Sequence, residues 1–392
     1  MDFSLTEDQQ AAEDLAATIF GDLSTHERLK EIEATEERFD ERLWSQLAGA
    51  GLLGLSLPEL YGGAGRGFIE SCVLAESCGR FAAAVPLVET LVLGAAPIAE
   101  FGSETLRQRW LPGVVAGDIV LSAALEEPGG DPFEPTTTAN HDGSGWRLSG
   151  TKTCVPAGML ARAFVVPARS EDRAVELFVV ASDADGVSRT RQVPTSGRPE
   201  ALLELDGVVV DADGRLSEPG RLSGTVGGGD QVGRAKLLWL LERAQAAMCI
   251  QEGGACKAAV DLTARYTSER RQFGKPIAEF QAVGQRAADA YVDAEAVRLT
   301  AWQAAWRLDA GLPASAQVAV AKFWGDDGAQ RVVLACQHLH GGVGVDRDYP
   351  LHRYFLLVKQ LALALGGTQA SLVRLGGILA GEAEQAPEAA RT

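Results

Sequence analysis

The chain is short of positive charge. Lysine and arginine number 36 against 53 aspartates and glutamates, which leaves a net charge of −17 at pH 7. A surface of that sign repels nucleic acid and anionic lipid, so neither is an expected partner. It also means that any phosphate-bearing ligand needs a locally basic site. Long apolar runs are missing too: none approaches the roughly 20 residues of a membrane span. The opening MDFSLTEDQQ has no basic stretch followed by an apolar core, so no signal peptide is expected. The six cysteines (Cys72, Cys78, Cys154, Cys249, Cys256 and Cys336) include no C-x-x-C pair, and most sit among apolar residues. They read as reduced core residues of a cytoplasmic protein, not as a disulfide frame or a zinc site. The histidines have no metal-ligand spacing, and no nucleophile elbow supports Ser/His/Asp chemistry. What remains is an ordinary globular composition, 46% hydrophobic and 23% charged, in 392 residues. That length allows two or three domains with a sizeable core.

The texture changes twice along the chain. Residues 1–118 read as helical, with Thr6 and Gln9 forming a capping box and amphipathic segments near 42–48, 69–81 and 104–117. Residues 119–225 carry short Val-rich runs at 163–168, 175–181 and 201–210, broken by turn residues, which predicts an antiparallel β domain. A Gly-rich stretch at 220–230 reads as a linker. Helical period returns over 226–381, in long segments at 232–266, 278–309, 313–338 and 351–380. Short connections between four such helices predict an antiparallel bundle. The tail, 382–392, is polar and expected to fray. The fold class is therefore α+β: helical domain, β domain, four-helix bundle.

One stretch stands out, RYTSERRQFGKPI at 265–277, followed by Gln281 in EFQAV. Its Gly-Lys-Pro breaks one long helix before the next begins. A charged turn there presents Arg270, Gln272 and Phe273 together. Arg offers a fork for phosphate oxygens, Gln a neutral hydrogen-bond pair and Phe a flat face for a ring. That set suits a dinucleotide; a solvated helix–helix turn with a buried Phe is the plainer alternative.

This turn, together with HLHGGVGVDRDYPLHRYF at 338–355 and GLLGLSLPELYGGAG at 51–65, resembles the acyl-CoA dehydrogenase family in order and spacing over nearly the whole chain. The resemblance implies FAD, an acyl-CoA thioester substrate and α,β-desaturation, with a Glu taking the Cα proton and the flavin N5 taking hydride from Cβ. It also implies electron transfer to an electron-transfer flavoprotein, and a homo- or hetero-tetramer. By the same resemblance Arg270, Gln272, Phe273, Gly341 and Gly342 reach the FAD of a neighbouring subunit, and Gln281 is a further cofactor-binding residue. His338 stands where a Gln is usual, and Thr368 belongs to a Gly-Thr pair near the flavin.

The base is where the sequence departs from the family. The usual Glu precedes the Gly-Thr pair, but ALALGGTQASL at 362–372 puts Gly366 there, or Leu365 when counted from Pro350. A minority of members use a Glu-Arg pair on the first bundle helix, here Glu242 as base and Arg243 as a substrate contact. Counted back from Tyr266, the family spacing falls instead on Ala244 and Gln245. Glu252 is a further candidate, and a chain without a base is the remaining one. The residues that usually seat the flavin ring are altered as well. The Thr-Glu-Pro-Gly-x-Gly-Ser-Asp stretch reads EEPGGD at 126–131, and Lys-x-Trp-Ile-Thr reads KTCVP at 152–156, with Cys154 for the Trp and Pro156 for a hydroxyl donor. From this comes the expectation of a chain that lends its turn residues to a flavin held mainly by a related subunit. The family includes such heteromers in actinobacterial steroid and side-chain degradation, and VDRDYPLHRYF resembles their subunits. A catalytically silent partner, and a dehydrogenase acting on a carrier-protein thioester, are the alternatives.

Overall fold

The computed structural model describes residues 4–143, 145–218, 220, 222 and 230–385. The N-terminal part is helical. It comprises α1 (Glu7–Leu23), α2 (His26–Glu33), α3 (Glu41–Gly49), α4 (Phe68–Arg80), a π-helical turn Glu89–Ala95 running into α5 (Ala96–Phe101), and α6 (Glu104–Val115). The Thr6–Gln9 capping box forms as expected, with Thr6 Oγ accepting from Gln9 N and Gln9 Oε1 from Thr6 N. Asp309, from the bundle, accepts from Phe68 N at 2.6 Å and so caps the start of α4.

The middle part is one seven-stranded sheet: β1 (Leu121–Ala123), β2 (Thr138–His141), β3 (Gly145–Pro156), β4 (Ala163–Ser170), β5 (Val175–Ala181), β6 (Val187–Gln192) and β7 (Glu200–Asp211). The Val-rich runs at 163–168, 175–181 and 201–210 lie in β4, β5 and β7. The sheet is not purely antiparallel, because β1 and β2 both pair β4 in parallel. Those two strands are three and four residues long, too short to carry a readable alternation.

The C-terminal part is helical: α7 (Asp230–Glu269), α8 (Gln281–Asp309), α9 (Ser315–Phe323), a π-turn Trp324–Gly328, α10 (Ala329–His340), α11 (Leu351–Leu363) and α12 (Gly367–Gln385). The segment α9–π–α10 is continuous and forms the third bundle helix. The fourth expected helix is broken. Leu365 (φ 56°, ψ 37°) and the two glycines after it (φ 113° and 69°) are left-handed, so α11 and α12 part there. The stretch Leu351–Gly381 is apolar and long enough to cross a membrane by length and composition alone. The break divides it, and α11 buries Leu351, Leu357, Val358 and Leu361 in the bundle. The first bundle helix touches α4 backbone to backbone: a Cβ on Gly254 would lie 2.1 Å from Glu76 O. The Gly-rich linker and the polar tail lie largely outside the described residues.

Candidate functional site

The charged turn folds into a small hairpin. After α7, Arg271–Gln272 pairs antiparallel with Lys275–Pro276. Phe273 (φ 51°) and Gly274 (φ 82°) are the two left-handed residues between them, the geometry of a type I′ turn. Asn-Gly is the usual occupant. Phe has no local hydrogen bond to offset the left-handed backbone, and it costs on the order of 1–3 kcal/mol there. Nor is the ring buried in exchange. Phe273 is 93% exposed, with the edge of Phe280 packed at 6.2 Å between centroids. The buried Phe of the plainer sequence reading is therefore not what forms. Arg271 donates to Gly274 O at 3.1 Å and Gln272 Nε2 to Arg271 O at 2.7 Å, which stiffens the hairpin.

The Gly341–Gly342 bend sits beside this hairpin. Tyr266, one turn before Arg270, stacks on His340 with centroids 4.3 Å apart. His340 in turn bonds Tyr349 Oη at 3.1 Å. This aromatic clamp brings the ends of α7 and α10 together. Burial lowers the His340 pKa, so the imidazole stays neutral there. A Cβ at Gly341 or Gly342 would meet nothing within 4 Å, so the bend faces open space. His338 is exposed and lines, with the first turns of α8, a groove of about 570 Å³ between α8 and α10. Gln281 is exposed at the N-terminus of that same α8. Arg270, Gln272, Phe273, Gln281, His338, Gly341 and Gly342 thus share one end of the bundle. Thr368 does not join them; it opens α12 beside the backbone break.

That break is the second part of the site, and it was not foreseen. Leu365, the base position when counted from Pro350 (Gly366, next to it, is the other counting), is gripped on both backbone groups. Glu126 Oε1 accepts from Leu365 N at 2.8 Å. Gln245 Nε2 donates to Leu365 O at 3.2 Å. The position counted from Pro350, Leu365, and the Ala244–Gln245 position of the family spacing therefore meet, and neither supplies a carboxylate. The carboxylate present comes from the β domain. Burial pushes the Glu126 carboxyl above its usual range, and the Leu365 N–H pulls part of that back. Its neighbour Glu127 is fixed by Lys152, whose buried Nζ donates at 2.7 Å, and by Thr137 Oγ1 at 2.7 Å. The Lys152 charge helps pull the Glu127 carboxyl down to about 2 against its burial. This pair anchors the loop that carries Glu126.

The ring-seating strand has spent its hydrogen-bonding groups internally. Cys154, left-handed at φ 50°, donates its N–H to Gln192 Oε1 at 2.8 Å. Pro156 has no N–H to give, and its carbonyl accepts from Ser122 Oγ at 2.5 Å. Ala157 N donates to Pro199 O at 2.9 Å. Cys154 is also the exposed exception among the cysteines; the other five are buried, and all six are free.

Glu242 lies one turn before Gln245, buried, with Ser315 Oγ donating to its Oε1 at 2.5 Å. Burial raises its pKa, and the Ser315 hydroxyl and the Arg374 charge oppose that. Arg243 is taken up by protein. Its guanidinium lies 3.9 Å from the Trp239 ring centroid and donates to Leu308 O at 3.2 Å. Glu252 is deeper still, fully buried between Lys322 and Asp326 at the π-turn, and neither of its carboxyl oxygens has a hydrogen-bond partner among the described residues.

Comparison with known proteins covers the whole fold. Family models for the N-terminal, middle and C-terminal domains of acyl-CoA dehydrogenases match residues 6–118, 123–208 and 232–376. The acyl-CoA dehydrogenase FadE27 of Mycobacterium tuberculosis is 40% identical over 388 residues, 97% of this chain and 99% of that protein. FadE28 of the same organism is 34% identical over 378 residues, 96% and 98% of the two chains. A crystal structure of the ChsE4–ChsE5 complex from M. tuberculosis superposes with a TM-score of 0.89 at 40% identity, covering 97% of this chain and 99% of the matched one. A point variant of the Tcur3481–Tcur3483 steroid ACAD does so at 0.87 with 44% identity, covering 96% and 99%.

Proposed function

The chain belongs to the acyl-CoA dehydrogenase family, and we propose that it is the nucleotide-clasping subunit of a heteromeric enzyme whose turnover takes place in a related chain. The family's enzymes are FAD-dependent oxidoreductases that act on CH–CH bonds, and this chain serves that activity. Two similar structures are of two-component complexes, one of them a steroid ACAD.

The observation that carries the reading is the contrast between the two parts of the site. The nucleotide end fits its group. A strained, solvent-facing Phe273 beside Arg270 and an open Gly341–Gly342 bend have no use within the chain. Together they offer a stacking face for adenine, a fork for pyrophosphate and room for close backbone approach. The ring end does not fit. Cys154, Pro156 and Ala157 have no backbone N–H left to give, and the Glu126 carboxylate stands against Leu365 N. Removing a Cα proton leaves negative charge on the thioester oxygen, which needs N–H donors nearby. The donor at the base position is already taken by the Glu126 carboxyl. FAD supplies the hydride acceptor, and this chain's residues hold its nucleotide half in the assembled enzyme. Electrons pass onward to an electron-transfer flavoprotein, and the assembly is a tetramer of two chain types.

Co-expression tests this. Purified alone, the chain is expected to carry well under one flavin per ten chains; purified with a related dehydrogenase chain, about one per pair. Full flavin occupancy and acyl-CoA turnover by the chain alone would end the reading.

Glu242 favours a second reading, in which this chain's own cleft is active, because it is a buried carboxyl with a raised pKa. The first reading makes it a packing group held by Ser315. Glu242→Gln in the assembled enzyme should then keep kcat within about twofold, whereas loss of a general base costs roughly 10²–10⁴-fold.

A further inference from the structure

We propose that His26, Glu33 and Arg353 form a pH-sensitive latch that holds α2 against the chain's own cleft. The cleft is a cavity of about 520 Å³ beside the ring-seating strand. Pro156 and Ala157 lie on one wall, and Leu29, Ile32 and Glu33 of α2 form another. α2 is eight residues long, and Leu29 and Ile32 are its buried residues. A helix that short has little stability of its own, so a few contacts decide whether this wall stays in place.

Arg353 of α11, only 7% exposed, reaches across to both ends of α2. Its Nε donates to Glu33 Oε1 at 2.5 Å and its Nη2 to Glu33 Oε2 at 3.0 Å, a bidentate pair at the last residue of the helix. Its Nη1 donates to His26 Nδ1 at 2.7 Å, at the first residue. One guanidinium thus pins α2 to the bundle at two points, and the two points differ in kind. The pair with Glu33 is ionic. The bond to His26 needs a lone pair, because a guanidinium has donors alone.

Imidazole changes charge between about pH 5 and 8, and His26 is half-buried, within reach of solvent. A proton on Nδ1 sets two donors and two cations face to face. The charged groups around the latch are Glu27, Lys30 and Glu33 on α2, Arg353 on α11, and Arg347 and Asp348 in the loop before α11. They balance while the imidazole is neutral, with Lys30 donating to Asp348 Oδ1 at 2.5 Å. Asp348 is exposed and in electrostatic range of His26, so the imidazolium turns out toward it and leaves Arg353 Nη1 unpaired. His352 is the other imidazole nearby. Its Nδ1 donates to Tyr349 O at 2.7 Å, and burial lowers its pKa. Acid therefore loosens the α2 wall and opens the cleft to solvent, whichever chain of the assembly turns over.

Hydrogen–deuterium exchange of the full chain at about pH 5.5 and about pH 7.5, scaled for the intrinsic rate at each pH, tests the latch. The α2 peptide should exchange roughly ten- to 100-fold faster in acid, the factor expected for losing one hydrogen bond to a charged group. The α1 peptide should keep its protection. His26→Asn, whose Oδ1 accepts where Nδ1 did and does not titrate, should hold α2 equally at both pH values. His26→Ala, with no acceptor, should leave α2 fast at both. The proposal is overturned if α2 is protected alike at the two pH values, or if α1 loosens with it. It is also overturned if the Asn variant keeps the parent's pH dependence, or if the Ala variant at neutral pH is as protected as the parent.

Discussion

Replacing Phe273 by Gly should make the chain more stable and the assembled enzyme lose its flavin. The two effects have one cause. Phe273 occupies the first left-handed position of the hairpin turn, where Gly is free of steric cost, and its ring is 93% exposed, so almost no apolar burial is lost. Relief of the backbone should raise stability by about 1 kcal/mol. The same change removes the stacking face. Base–aromatic stacking contributes roughly 1–3 kcal/mol, so FAD affinity should fall between about five- and 150-fold. Arg270→Ala adds a charge-assisted contact of similar size, and the double variant should lose about three orders of magnitude. Flavin content after gel filtration and a thermal unfolding scan on the same samples check both signs. A purely structural Phe273 would move the two readouts together, downward. If Phe273→Gly leaves FAD bound, the nucleotide corner is misassigned.

How legible the site was from sequence follows the range of the contacts. The Arg270–Phe273 corner was readable because its residues are adjacent and its helix break is spelled by Gly and Pro. The three-part architecture was readable because each part has its own period. Leu365 was readable as a non-base, since any counting of that segment gives an apolar residue. The clasp on it was not. Glu126 and Leu365 are 239 residues apart, and nothing local to EEPGGD says that its first carboxylate crosses from the β domain to the bundle. The break between α11 and α12 had a signal in Gly366–Gly367, masked by an apolar run that reads as one helix. Gln245 shows the same limit from the other side. The family spacing pointed to its position, but an amide there was read as the absence of a base rather than as a hand on Leu365.

Lys322→Met should strongly destabilise the bundle, because Lys322 is the buried cation that pairs with Asp326 and faces Glu252. Three ionisable groups are buried around the π-turn: Glu252 and Lys322 at 0% exposure and Asp326 at 2%. Lys322 Nζ donates to Asp326 and, at 3.1 Å, to Leu361 O. Removing the cation that faces the two acids leaves Asp326 unpaired, a loss of roughly 3–5 kcal/mol. Lys322→Met with Asp326→Leu should recover most of it, because an apolar pair of similar volume replaces the ionic one. Burial pushes the Glu252 carboxyl from 4.5 up to about 8, and that of Asp326 up to about 6, against the pull of Lys322. The pH dependence follows from those shifts. Below about pH 4.5, Glu252 is protonated in folded and unfolded chains alike, and its contribution is complete. Between there and about 8 the folded chain holds a proton that the unfolded chain has released, so stability falls as pH rises. Above about 8 the decline stops. Between about pH 7 and 8, where Asp326 has mostly finished titrating, the unfolding midpoint should drop more steeply in the parent than in Glu252→Gln. Equal slopes would place a different group behind the effect. Lys322 bonds Leu361 O in the last turn of α11, four residues before Leu365, so this cluster supports the clasp on Leu365. It should not support FAD. Glu252 lies about 25 Å along α7 from the hairpin at 1.5 Å per residue, and flavin affinity of the assembled enzyme should survive Glu252→Gln unchanged. Stability and nucleotide binding are therefore expected to separate along one helix, with Glu252 governing the first and Arg270 the second.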